Sequence, residues 1–198
     1  MDKRQYMVGL VSLVKNRAIL GLSAMAAFRT SALFVIFFAL PLYLVDNLGL
    51  SEKAQGLAMA MMQVGGFVTG PLAGTWSDRI GRRPIVLGGL SVITIAIVCL
   101  TLISDAVVFV CGITVLGFAL YAIRPVTQAW MMDLAPMGHG ASAASVMFAM
   151  QSAWTPVLVV TSGFIADKYG LIYVFYLVAA SMLMANIVAY FLPSGKNP

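Results

Sequence analysis

Apolar positions along the chain gather into six long runs separated by short polar breaks. A bilayer core needs roughly 20 helical residues to cross it. Runs of that order occupy residues 18–45, 54–76, 84–104, 106–134, 141–165 and 171–192. The stretch 5–16 is too short to cross and reads as an interfacial helix. The breaks carry helix signals of their own. Residues 46–50 form a polar turn, and Ser51 is placed to cap the second span. Pro84 stands in the first turn of the third span, where a missing N–H costs nothing. Pro125 lies within the fourth span and predicts a kink or tilt. The charged stretch 77–83 and the stretch 136–140 read as loops.

Composition removes the alternatives to a membrane protein. Of 198 residues, 61% are hydrophobic and 10% are charged, where a soluble domain carries about 25% charged residues. A water-facing surface cannot be covered from that supply, and the chain is too apolar for disorder. An all-α transmembrane bundle remains. The net charge of +5 forms no basic patch with interleaved aromatics, so no nucleic-acid partner is expected. The cations follow the positive-inside rule instead. With the N-terminus in the cytoplasm, Lys3, Arg4, Lys15, Arg17, Arg79, Arg82, Arg83 and Lys196 fall inside, and only Lys53 and Lys168 fall outside. Both termini are therefore expected in the cytoplasm, in a plasma or inner membrane. Residues 7–14 lack a cleavage site, so the first span acts as its own insertion signal. Cys99 and Cys111 flank the turn at Asp105 and read as small apolar side chains. No metal site or cofactor is read from the chain.

A short string occurs twice. Gly74, Asp78, Arg79 and Gly81 end the second run; Gly163, Asp167, Lys168 and Gly170 end the fifth, 89 residues later. Both read G-x-x-x-D-[RK]-x-G. By the topology above, one lies inside and the other outside. This predicts two inverted three-helix repeats, 18–104 and 105–192, with a cytoplasmic segment 1–17 and a tail 193–198. Inverted repeats are typical of secondary transporters.

The first copy continues to Arg82 and Arg83. The full string from Gly74 to Arg83 resembles the signature loop of the major facilitator superfamily, G-x-x-x-D-R-x-G-R-R, at every specified position. That resemblance implies one six-helix half of a twelve-helix transporter. The run Asn16, Arg17, Ala18 resembles the start of a seventh helix, which implies a C-terminal half. The resemblance also implies that Gly74, Asp78, Arg79, Gly81, Arg82 and Arg83 latch one half against the other on the cytoplasmic side. The contact would fall near the partner's fifth helix, here around Ala141 and Ser142. On charge alone, the arginines pair with Asp133 at the end of the fourth span or with lipid phosphates. The family's fourth-helix pattern appears in altered form, as Arg124 and Gln128 without the glycine. The antiporter proline motif is not met around Pro156, so drug/proton antiport is not implied. Gly66, Gly70 and Gly74, four apart, predict a close helix contact, either a sliding seam between halves or static packing.

Arg29 and Arg124 are the two cations inside spans, at similar depth near the midplane. Such a charge costs several kcal/mol or more unless it meets water, a partner or a ligand. Apart from Asp133 at the very end of the fourth span, no Asp or Glu lies inside any span, and none lies at the depth of the two arginines. The resemblance places both arginines on cavity-lining helices. A planar guanidinium suits carboxylate or phosphate, so the pair predicts a site for a small anionic substrate. Tyr121 and Gln128 share the face of Arg124, and Gln63 and Gln151 are further candidates. Pro125 cannot donate to the Tyr121 carbonyl, which leaves an acceptor there. His139, the only histidine, falls in a loop as a solvated bystander.

A half-length transporter encloses half a cavity, so a partner is expected: a second copy in a homodimer or another six-helix unit. A fragment or subunit of a twelve-helix chain and a non-transporting scaffold are the alternatives. An enzyme is not expected, because an intramembrane serine protease needs its histidine within the bilayer. The paired Asn-Pro-Ala loops of water channels are missing too.

Overall fold

A computed structural model describes residues 15–103 and 105–194, together with Leu13. The segment 5–16, expected as an interfacial helix, therefore lies almost wholly outside the described residues. Among those described are six helices and no strand. They are α1 (Arg17–Asp46), α2 (Glu52–Ile80), α3 (Arg82–Leu100), α4 (Ala106–Leu134), α5 (Gly140–Tyr169) and α6 (Leu171–Tyr190). All six are long and apolar enough to span a membrane, and the chain is an integral, multi-pass membrane protein.

Length and proline content divide the helices into two kinds. The 30 residues of α1 extend about 45 Å at helical rise, well beyond a core about 30 Å thick. The other long helices, α2, α4 and α5, match it closely. Each of the four carries an interior proline: Pro41, Pro71, Pro125 and Pro156. Of the short helices, α3 has a proline only in its first turn, at Pro84, and α6 has none. On α3 the buried stripe is Val86, Leu90, Ile93, Ile97 and Leu100, alternating steps of four and three as a single packed seam requires. On α4 the stripe Phe109, Ile113, Leu116, Leu120 and Ile123 does the same. The most enclosed helix is α1, buried on several sides by α4, α5 and α6.

The boundaries correct part of the sequence reading. Residues 77–83 are not an open loop. Helix α2 runs to Ile80, and α3 begins at Arg82, with Gly81 alone between them. Gly81 has φ 102 and ψ 154, a backbone state that side chains rarely tolerate. A single glycine thus turns the chain where several loop residues were expected. The third helix also stops at Leu100, short of the expected 104.

The helices form two inverted three-helix repeats. Four glycines have positive φ among the described residues: Gly49, Gly81, Gly138 and Gly170. They fall into two pairs, Gly49 with Gly138 and Gly81 with Gly170, each 89 residues apart. The backbone at Gly170, φ 96 and ψ 164, nearly repeats that at Gly81. The N-caps match as well. Asn16 accepts from the Ala18 amide at 3.0 Å, and Asp105, 89 residues later, accepts from Val107 at 2.9 Å. Packing obeys the same exchange: α2 lies along α4 while α5 lies along α1, and α3 packs on α4 while α6 packs on α1. Each repeat's middle helix thus leaves its own triplet to pack on the first helix of the other.

The α2–α4 contact is close because of glycines. A side chain at Gly66 would run into Tyr121, one at Gly65 into Phe118, and one at Gly117 into the Met62 carbonyl. Thr69 Oγ1 donates across the seam to the Phe118 carbonyl at 2.9 Å. Of the predicted glycine stripe, Gly66 makes this static contact, whereas Gly74 faces open space. Cys99 and Cys111 are both exposed and unbonded.

Candidate functional site

The fold brings the two intramembrane arginines to one place. Arg29 projects from the middle of α1, and Arg124 stands on α4 beside Pro125. Both line a cavity of about 450 Å³ between α1, α2, α4 and α5. Tyr121 and Gln128 reach it from α4, Gln63 from α2 and Gln151 from α5. All six predicted substrate-site residues therefore share one cavity. No acidic residue lines it.

The two arginines differ in environment. Arg29 is only 3% exposed. Its terminal nitrogen donates to the Leu120 carbonyl of α4 at 2.6 Å, and its Nε has no hydrogen-bond partner. Arg124 is exposed to the open side of the cavity. The sequence placed the free carbonyl at Tyr121, but the acceptor used is Leu120, one residue earlier. That carbonyl lies on the side of α4 facing α1, within reach of a guanidinium packed against it. Arg29 therefore satisfies one donor with backbone while the rest of its charge has no acidic counterpart.

The cavity also holds residues that the sequence reading missed. Phe34 and Phe37 line it from α1, and Phe148 from α5. Their spacing carried the signal. Phe37 lies two helical turns beyond Arg29, and Phe148 one turn before Gln151. Thr30 also lines the wall, and its hydroxyl donates to Gln151 Oε1 at 3.2 Å. Phe34 is 54% exposed, which marks the side on which the cavity is open.

A second cluster sits at the end of the bundle where α2 meets α3. Arg82 ties three elements together. It forms an ion pair with Asp78, donates from Nε to Asp133 at 3.1 Å, and donates to Ser77 Oγ at 2.5 Å. Arg83 does not pair with Asp133. It reaches the Tyr190 carbonyl at the end of α6 and stacks over the Tyr190 ring at 5.5 Å. A cation beside that carbonyl also opposes the negative end of the helix dipole. Arg79 is exposed, with no ion pair among the described residues, so of the three arginines only Arg82 meets Asp133. Gly74, at the start of the motif, has nothing within 4 Å of where a Cβ would stand, and its repeat counterpart Gly163 is equally open. The string therefore clamps α2, α3, α4 and α6 within this unit and leaves Gly74, Asp78 and Arg79 facing outward.

Known proteins share this architecture. The family model of the Major Facilitator Superfamily matches residues 22–198. Multidrug resistance protein 2 of Bacillus subtilis is 24% identical over 168 residues, covering 82% of this chain and 42% of that protein. Inner membrane transport protein YajR of Escherichia coli is 29% identical over 168 residues, covering 83% of this chain and 36% of that protein. An auto-inhibited peptide transporter of the POT family superposes with a TM-score of 0.80 at 17% identity, over 92% of this chain and 39% of its own. That last likeness is one of fold. The chain spans less than half the length of these relatives.

Proposed function

The chain belongs to the major facilitator superfamily, and on that footing we propose that it moves a small anionic organic solute across a membrane by alternating access. The observation that carries this reading is Arg29. It is 3% exposed, its Nε lacks a partner, and it shares with Arg124 a cavity that no carboxylate lines. An uncompensated cation at that depth is costly unless a ligand or water meets it. An anionic head between two guanidiniums accepts charge-assisted, bidentate hydrogen bonds. Tyr121, Gln128, Gln63 and Gln151 then orient the rest of the molecule. The relatives' names include a drug-resistance protein and a peptide transporter, so membership supports transport and leaves the cargo to the cavity's own chemistry.

The cavity is open on one side, which supports pairing with a second six-helix unit. We take that unit to be a second copy, related by a twofold axis along the membrane normal, as the halves of a full transporter are. A fragment or subunit of a twelve-helix chain is the other arrangement, and it would use the same open face. We take 18–104 and 105–192 as the repeat boundaries, the cation bias as placing both termini in the cytoplasm, and the plasma or inner membrane as the location. The outward-facing Gly74, Asp78 and Arg79 then form the cytoplasmic latch against the partner unit.

Reconstitution in liposomes tests the transport reading. Uptake of a radiolabelled organic anion is expected, with Arg124→Gln and Arg29→Gln each lowering it at least tenfold. Unchanged uptake kinetics in both variants would remove the anion site. Mass measurement in nanodiscs tests the pairing, and a monomer at every concentration would exclude the homodimer.

A further inference from the structure

The cavity does not end at Gln151. A second recess of about 330 Å³ continues along the α1–α5 seam and shares Thr30, Phe34, Phe148 and Gln151 with the first. Beyond them it is lined by Ser152, Thr155 and Pro156. The two lobes differ in chemistry. The first holds both guanidiniums. The second contains no charged side chain, only hydroxyls and an amide beside aromatic rings.

Much of that polar capacity is unspent. Gln151 accepts from Thr30 at Oε1, and its amide nitrogen has no hydrogen-bond partner among the described residues. Ser152 is exposed, and its hydroxyl likewise bonds no described group. Thr155 Oγ1 donates to the Gln151 carbonyl at 2.8 Å and lies 3.2 Å from Ser31 Oγ, which leaves it an acceptor lone pair. Phe34 and Phe148 stand where the lobes join, 54% and 44% exposed. Flat apolar faces at the junction are thus followed by a row of donors and acceptors.

Resting on the reading of Arg29 and Arg124 as an anion site, we infer that the solute is a polyhydroxylated carboxylate. Its carboxylate lies between the guanidiniums, its C–H faces lie over Phe34 and Phe148, and its hydroxyls bond Gln151, Ser152 and Thr155. Other solute classes leave part of the site unmatched. An alkyl carboxylate would cover the second lobe's donors and acceptors without pairing them, and unmade buried hydrogen bonds are costly. A dicarboxylate long enough to enter the second lobe would find no cation there for its far end. A neutral polyol would leave the guanidiniums without an anion.

The test compares gluconate, hexanoate and sorbitol binding to the full chain in nanodiscs by calorimetry. Gluconate is expected to bind about tenfold tighter than hexanoate, the effect of one or two net hydrogen bonds, with sorbitol weakest. Ser152→Ala combined with Thr155→Val should bring the gluconate-to-hexanoate ratio close to one. The wild-type ratio stands as a readout even if that variant fails to fold. Equal affinity for gluconate and hexanoate, with both lost in Arg124→Gln, would overturn the hydroxyl lobe while the anion site stands. Binding of neither carboxylate, or binding indifferent to Arg124→Gln, would overturn the anion site and this inference with it.

Discussion

Replacing Gly117 by alanine tests whether the α2–α4 seam is as close as the structure makes it. The added methyl would overlap the Met62 carbonyl oxygen and lie 2.5 Å from Met62 Cγ. A backbone carbonyl cannot swing aside as a side-chain tip can, so the helices must separate. Overpacking of this kind costs roughly 1–3 kcal/mol. Because a backbone group is involved, about 3 kcal/mol is the appropriate end of that range. Alanine recovers up to about 1 kcal/mol over glycine in helix propensity, so the net loss is about 2 kcal/mol. For a chain of this size that lowers the melting temperature by roughly 4–8 °C. The control is Gly88→Ala on α3, where nothing lies within 4 Å of the added methyl. It keeps the propensity gain and should melt at or slightly above the parent. The assay is tryptophan fluorescence on heating in one detergent at one scan rate, since membrane-protein melts are commonly rate-dependent. If Gly117→Ala melted with or above Gly88→Ala, the close-contact reasoning would be wrong.

Gly81→Ala and Gly170→Ala should each lose about 1–3 kcal/mol, because both positions hold a backbone state reserved for glycine. The two losses should agree in melting experiments, and clearly unequal losses would break the repeat equivalence. Asp133→Asn should lower stability by about 1 kcal/mol or less, since the Arg82 pair is partly exposed, and added salt should shrink the difference. Gly74→Leu should leave the melting temperature of the single unit within error, because the space beside Gly74 is empty, while lowering liposome uptake if the latch forms there. Full uptake in that variant would place the partner contact elsewhere.

Hydrophobic run length alone placed all six helices, because membrane spans are read from composition more than from neighbours. Their ends were less legible. The charged string 77–83 reads as loop by polarity, yet only Gly81 breaks the helix. Charges at a membrane boundary can stay helical, and polarity does not distinguish the two states. The similar depth of Arg29 and Arg124 was legible from their positions in the spans, whereas a common cavity for them was implied by the family resemblance, and Gln63 and Gln151 entered only as further candidates. Which arginine would be buried was not legible, because that depends on how α1 and α4 rotate against one another. The pairing of α2 with α4 and of α5 with α1 was also hidden, since contacts between distant spans leave no local pattern.

That exchange of partners has a consequence for how the chain is made. Thr30 meets Gln151, 121 residues downstream, and the buried guanidinium of Arg29 meets a carbonyl 91 residues downstream. At the usual pace of synthesis, about 5–20 residues per second, α1 precedes these partners by roughly 5–25 seconds. During that interval Arg29 has no α4 to bond. Helix α1 must therefore wait beside the insertion machinery, or with its arginine drawn to the lipid surface, until α4 and α5 have been made. Neither triplet buries its middle helix on its own, so the two must assemble together, and a chain truncated before α4 would leave Arg29 without its backbone acceptor.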